Sequence, residues 1–285
     1  MNQIARYTAG LSYFTAPDGI RLAYRDEGMG LPLVTIGGIN RNGIDFKYLA
    51  PHLDDVRLIR IDLRGRGASD RAPWQTYVTV QEAEDVVALL DHLGLDRAAI
   101  LGTSRGGMVA MEMATFARDR LLGVCLNDIG ARIETTGRET VRTNLGRQPT
   151  AKTYEDAARD RKATLTGWSD VPEGRWLDEV QILFDQTADG LCITYDPALR
   201  DALLARADTL ADLWPHFMAL EGLPVALIRG ANSQIVSAAT ADEMARRMPG
   251  MIHAEVPGRG HSPWLDEPEA LEAIHCWLAL CHARL

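Results

Sequence analysis

The stretch Ala98-Ala99-Ile100-Leu101-Gly102-Thr103-Ser104-Arg105-Gly106 places a G-x-S-x-G motif directly after an apolar run. Just beyond it a helical pattern runs from Met108 to Ala117. A strand that turns tightly into a helix needs small residues on both sides of the turning residue, and Gly102 and Gly106 supply them. The serine between them is left on a strained backbone, its hydroxyl above the sheet edge at the helix N-terminus. A bare G-x-S-x-G is common by chance, and any doubly wound sheet can hold a Gly-rich strand–helix turn with an incidental serine. Framed by strand and helix, this one marks Ser104 as a candidate nucleophile.

Working outward, the first third of the chain alternates strand and helix patterns. Leu11 to Thr15 and Arg21 to Asp26 flank Pro17-Asp18-Gly19 and read as a hairpin. Pro32 to Ile36 is a short apolar strand ending in Gly37-Gly38, and Val56 to Ile61 is a β-branched strand ending at Asp62, with a helix expected between them from Phe46 to Leu53. Thr79 to Leu93 is the clearest helix: Thr79 and Glu82 have capping-box spacing, Val86, Val87, Leu90 and Leu93 form an apolar face, and Gly94 ends it. Leu122 to Asn127 is a further strand, ending at Asp128. Repeated units of this size build a mostly parallel sheet with helices on both faces, whose ligands sit beyond the carboxyl ends of the strands. Gly37, Asp62, Ser104 and Asp128 therefore share one rim.

From about Ala131 to Leu220 the rhythm changes. Helical patterns cover Arg138 to Leu145, Tyr154 to Leu165, Arg175 to Phe184, Pro197 to Arg206 and Leu210 to Ala219, with one weak strand signal at Cys192 to Tyr195. The sheet rhythm then resumes with Pro224 to Arg229, a helix from Ala238 to Met248, Ile252 to Val256, and a last helix from Asp266 to Cys281. Residues 1–130 and 221–285 thus read as one core, and 131–220 as a helical cap over the catalytic rim; a separate helical domain packed elsewhere is the alternative.

Composition narrows the class. The 285 residues suffice for a large buried core. With 30 Lys and Arg against 39 Asp and Glu, the net charge of −9 argues against a nucleic-acid surface. The acidic residues are scattered, as on a soluble surface. The four cysteines, Cys125, Cys192, Cys276 and Cys281, lack metal-ligand spacing, and the last two lie on different faces of a helix, so reduced and mostly buried thiols are expected. Met1 to Arg6 lack the features of a signal peptide, and no apolar run reaches the ~18–20 residues of a membrane span. A soluble, cytoplasmic protein is expected, with no membrane or nucleic-acid partner; a homodimer remains open.

A serine hydroxyl needs a base within hydrogen-bond reach. Of the seven histidines, His52, His92, His275 and His282 fall in helix patterns, His216 in the cap, and His253 within the last strand. His261 follows Pro257-Gly258-Arg259-Gly260, a loop at a strand end that can carry an imidazole over the rim, and is the candidate base.

Ser104 in its turn, Gly260-His261-Ser262-Pro263, and Asp62-Leu63-Arg64-Gly65-Arg66-Gly67 together resemble the α/β-hydrolase fold, and the likeness spans essentially the whole chain. The chain is similar to bacterial esterase-like, lactonase-like and C–C-bond-hydrolase-like members. The resemblance implies an α/β-hydrolase fold: an eight-stranded, mostly parallel sheet with its second strand antiparallel, flanked by helices and carrying an inserted cap. It also implies a Ser-His-acid triad and an oxyanion hole of two backbone N–H groups, here those of Arg105 and, from Gly37-Gly38-Ile39, of Ile39. Relatives commonly place the acid in the loop of Gly230-Ala231-Asn232-Ser233-Gln234, where the expected position holds Gln234. An amide there can accept a hydrogen bond from the imidazole but cannot balance its charge. In a serine protease the same exchange cost about 10⁴ in rate. Asp128, in Leu126-Asn127-Asp128-Ile129-Gly130, is favoured instead, because some relatives take their acid from this strand; a carboxylate bracing the cap entry is the alternative. Asp62 is a weaker candidate, expected to brace its turn with Arg64 or Arg66, and Glu255 and Asp266 flank His261 in sequence.

Asn40, Arg41, Trp168 and Trp264 are candidates for the substrate pocket, and the Arg105 side chain is expected to face outward from its helix or to meet a substrate carboxylate. The expected activity is cofactor-independent, metal-free hydrolysis of a small carboxylic ester or lactone through an acyl-enzyme on Ser104. A C–C hydrolase or lyase using the same Ser-His pair, and a low-activity binding homologue with an eroded triad, are the alternatives.

Overall fold

The computed structural model describes residues 9–165, 167–206 and 212–285. Eight strands form one sheet: β1 (Ser12–Thr15), β2 (Arg21–Glu27), β3 (Leu31–Ile36), β4 (Val56–Ile61), β5 (Ala98–Thr103), β6 (Leu121–Asn127), β9 (Val225–Gly230) and β10 (Ile252–Val256). Their order is β1-β2-β4-β3-β5-β6-β9-β10, with β2 antiparallel to both neighbours and the other pairs parallel. Every residue of β3, β5, β6 and β9 is buried, so these strands read as continuous apolar runs rather than alternating ones.

The period of two still sorts side chains to opposite faces. Val34, Ile100, Val124 and Leu227 pack with α1 (Thr79–His92), α2 (Arg105–Phe116) and Met244 of a helix at Ala238–Arg247; Leu33, Leu101, Cys125 and Ile228 pack beneath Ile274, Trp277 and Leu278 of the last helix, Pro268–His282. Between β6 and β9 lie α3 (Thr135–Asn144), α4 (Tyr154–Thr164), α5 (Glu173–Leu183), the hairpin of β7 (Phe184–Thr187) with β8 (Gly190–Ile193), α6 (Leu199–Leu204) and α7 (Trp214–Met218). Leu145, Ile193, Tyr195 and Leu199 from this insert pack on Tyr77 and Ile39, which places it over the strand-end rim. The two helices that complete the core are α8 (Ala238–Arg247) and α9 (Pro268–His282).

Some expectations need correction. The helix from Phe46 to Leu53 is two short 3₁₀ turns, Gly43–Lys47 and Ala50–His52, because Pro51 lacks the N–H a longer helix needs. The weak strand signal near Cys192 is one arm of a real hairpin. Thr79 and Glu82 form no capping box: Val78 is the N-cap, Thr79 donates to Glu112 and Glu82 is fully buried among arginines. Leu210 and Ala211, with which the last cap helix was expected to begin, and Met1 to Arg6 lie outside the described residues. Cys125 and Cys281 are buried, whereas Cys276 is exposed. Among the described residues no helix is long and apolar enough to cross a membrane.

Candidate active site

The turn after β5 is built by close approach. A Cβ on Gly102 would lie 2.3 Å from the Gly106 backbone, and one on Gly106 would lie 2.1 Å from the Ile36 carbonyl oxygen. Only glycine fits at either position. Between them Ser104 adopts φ 51° and ψ −113°, and α2 starts at the next residue. Asp128, at the end of β6, also has a positive φ, 52°. Each such non-glycine residue costs on the order of 1–3 kcal/mol and persists where the surroundings enforce it. The two strained residues bear the two side chains that meet one histidine.

That histidine is His261. Its Nε2 lies 3.0 Å from Ser104 Oγ and its Nδ1 lies 2.7 Å from Asp128 Oδ2. An ionised carboxylate can only accept, so Nδ1 carries the hydrogen and Nε2 presents its lone pair to the serine hydroxyl. Asp128 is fully buried and accepts two further bonds, from the Gly230 N–H to Oδ1 at 3.0 Å and from the Ser233 hydroxyl to Oδ2 at 2.7 Å. Gln234, where the acid was expected, is exposed, and the imidazole bonds Asp128 instead. Sequence reasoning missed Ser233, although it adjoins the glutamine that drew attention. Asp62 accepts the N–H groups of Gly43 and Ala68 and so braces its turn through the backbone; the arginines expected there pair elsewhere. Glu255 pairs with Arg229 and Asp266 with Arg175, so neither serves His261.

The loop Gly37-Gly38-Ile39 lies against the Ser104 turn: a Cβ on Gly38 would sit 3.9 Å from Ser104 Cβ. Among the described residues no acceptor takes the N–H of Ile39 or of Arg105. Both residues are tied to one buried carboxylate. Glu82 meets Arg105 Nε at 2.7 Å and Arg66 Nη1 at 2.7 Å, and Arg66 Nε donates to the Ile39 carbonyl at 2.9 Å. Burial alone would raise the Glu82 pKa; the charges of Arg105 and Arg66 outweigh it and hold the carboxyl below its ordinary value. The Arg105 side chain thus neither faces outward nor awaits a substrate: Glu82 and the Tyr77 carbonyl occupy it.

Two cavities meet at Ser104. The larger, about 290 Å³, is lined by Asn40, Arg41, Trp168 and Trp264 as well as Ser104 and His261. Trp168 and Trp264 pack with ring centroids 4.4 Å apart and planes tilted by 49°, which makes one wall aromatic. Arg41 is not free for a ligand: Nε donates to Asp45 at 2.6 Å, and Nη1 and Nη2 grip Glu179 of α5 at 3.2 Å each. Arg161 and the Trp264 indole N–H also donate to Glu179, each at 3.0 Å. Burial would raise the Glu179 pKa, but Arg41 and Arg161 hold it down at about 2. This network joins the loop that follows Ile39 to the insert. The partners of Glu179 lie 18 to 138 residues from it, and no local motif announces them.

Comparison with known proteins agrees with this architecture. Residues 36–274 match the model of the alpha/beta hydrolase family. The chain belongs to that family. A 3-hydroxybutyrate-oligomer hydrolase of Cupriavidus necator is 31% identical over 268 residues, covering 89% of this chain and 91% of that protein. An esterase of Escherichia coli is 26% identical over 257 residues, 87% of this chain and 92% of its own length. Among solved structures, an alpha/beta hydrolase from Novosphingobium aromaticivorans superposes with a TM-score of 0.88 at 33% identity, covering 95% of this chain and 98% of that one.

Proposed function

We propose that this family member is a serine hydrolase that cleaves a small carboxylic ester or lactone through an acyl-enzyme on Ser104. The observation that carries the reading is one imidazole bonded at Nε2 to Ser104 Oγ and at Nδ1 to the buried carboxylate of Asp128. Ser104 Oγ attacks the carbonyl carbon while its proton passes to His261 Nε2. The imidazolium formed is balanced by Asp128, which also keeps the Nδ1–H tautomer in place. The negative charge on the former carbonyl oxygen falls between the N–H groups of Ile39 and Arg105; one such donor is worth about 2.7–4 kcal/mol in a protease. The C–O bond breaks as His261 returns the proton to the alkoxide, and the alcohol leaves. Water, deprotonated by His261, then attacks the acyl carbon; the bond from that carbon to Ser104 Oγ breaks as His261 returns the proton to Oγ, and the acid leaves.

The Escherichia coli relative is named an esterase, and 3-hydroxybutyrate units in an oligomer are joined by ester bonds, which supports the ester reading. The eroded-triad alternative arose from Gln234 and loses its motive once Asp128 stands beside His261. The test is hydrolysis of a panel of short esters and lactones, with fluorophosphonate labelling in parallel. Ser104→Ala is expected to lose turnover by about 10⁴ or more and to lose the label. Undiminished turnover or labelling in that variant contradicts the proposal.

A further inference from the structure

The smaller cavity beside Ser104 differs in its charge. It measures about 220 Å³, and Met108, Ile129, Ile133, Leu203 and Ile235 make most of its wall apolar. Four charged residues line it: Arg105, Arg138, Glu139 and Arg142. Glu82 already meets the charge of Arg105, and Glu139 lies 3.7 Å from Arg142. Arg138 is left over. Its Nε is buried with no hydrogen-bond partner, and its guanidinium bond to a described residue is from Nη2 to the Thr135 hydroxyl at 3.4 Å. Among the described residues no carboxylate forms an ion pair with it. The larger cavity offers no equivalent, because Arg41 and Arg161 there face Asp45 and Glu179.

A buried guanidinium N–H without an acceptor is costly, and the fork of donors it belongs to matches a carboxylate in two parallel bonds. Arg138 and Ser104 line the same cavity, whose apolar wall suits a short hydrocarbon spacer. At roughly 30 Å³ per water-sized group, the cavity holds about seven, which fits a short chain. We propose that this cavity binds the free carboxylate of a short ester substrate, with Arg138 as the group that recognises it. The inference rests on Ser104 being the ester-cleaving nucleophile. A carboxylate on the acyl part and one on the alcohol part of the ester share this chemistry.

Two matched pairs separate those sources: monomethyl glutarate against dimethyl glutarate, and 4-acetoxybutanoate against its methyl ester, with product release followed by NMR. In at least one pair the enzyme is expected to favour the charged member in kcat/KM. Arg138→Ala should lower that charged-to-neutral ratio by about tenfold or more, chiefly through KM, and Arg138→Lys should restore part of it. A ratio unchanged by Arg138→Ala in both pairs overturns the proposal. If the enzyme hydrolyses none of the four, calorimetric binding of both charged esters to Ser104→Ala gives the answer. Weakening by about tenfold on adding Arg138→Ala supports carboxylate recognition while the hydrolase reading falls; equal affinity, or no binding of either, overturns it.

Discussion

Replacing Asp128 with asparagine asks the sharpest question of the site, because the carboxylate is bonded on both oxygens. Oδ1 accepts from the Gly230 N–H, while Oδ2 accepts from the Ser233 hydroxyl and from His261 Nδ1. An amide has one acceptor end and one donor end, so it cannot serve both. With its oxygen toward Gly230, the NH₂ group faces His261, and the imidazole must turn its lone pair to Nδ1 and its hydrogen to Nε2. That hydrogen then points at Ser104 Oγ, 3.0 Å away, and the base is lost. With its oxygen toward His261, the NH₂ group meets the buried Gly230 N–H, and two donors face each other at about 1–3 kcal/mol. The fold favours the first arrangement and the chemistry needs the second. The wrong tautomer cost about 10⁴ in kcat in a serine protease, equivalent to about 5.5 kcal/mol of transition-state stabilisation. We expect Asp128→Asn to lose about that much in kcat/KM on a short ester, with KM little changed and a circular-dichroism melt near the wild-type value. Activity within about tenfold of wild type would refute the reasoning, as would a Gln234→Asp variant that restores an inactive wild-type chain.

Three further outcomes follow from buried groups. Glu179 has an ordinary pKa of 4.5 and is held at about 2 in the fold, so it stabilises the native state above pH 4.5 and loses that contribution as pH falls through 2; the shift amounts to about 3 kcal/mol at neutral pH. In acid-unfolding curves followed by tryptophan fluorescence, Glu179→Gln should therefore be the less stable protein at pH 7, and the gap should narrow between pH 4.5 and 2; a constant gap contradicts the assignment. Glu82→Gln leaves the buried guanidinium groups of Arg66 and Arg105 without their shared anion, at about 3–5 kcal/mol. Calorimetry should show Tm lower by on the order of 10 °C, and kcat should fall more than KM rises, because Arg66 holds the Ile39 carbonyl. Gly106→Ala places a methyl group 2.1 Å from the Ile36 carbonyl oxygen, so about 1–3 kcal/mol of stability and most of the turnover should go together; a fully active, equally stable alanine variant would contradict the close approach.

Much of the site was legible because it depends on local patterns that a sheet then brings to one edge. Each of Gly37, Ser104 and Asp128 ends or follows a strand whose apolar run is plain in the sequence, and parallel pairing carries all three to the same rim. Chemistry sets Gln234 aside, since an amide cannot balance an imidazolium, and Asp128 is favoured from its place on the same rim and from the resemblance to relatives that take their acid from this strand. The strands at the sheet centre were legible for the same reason: buried on both faces, they are mostly apolar runs with few polar breaks. What stayed hidden depends on contacts between distant residues. Glu82 has the spacing of a cap, but its helix presents it to Arg66 and Arg105, and burial between two cations is a tertiary fact. Arg41 and Asp45 are four apart, but no spacing joins them to Arg161 and Glu179, and each alone reads as a surface charge. Arg138 in a polar helix looks like any solvated arginine until the cavity behind it is seen.

The most direct measurement is mass spectrometry of the enzyme quenched during turnover of a slowly deacylating short ester. An acyl mass is expected on the peptide that contains Ser104, absent in Ser104→Ala and slow to form in Asp128→Asn. Turnover with the Ser104 peptide unmodified, or an adduct on another residue that persists in Ser104→Ala, would contradict it.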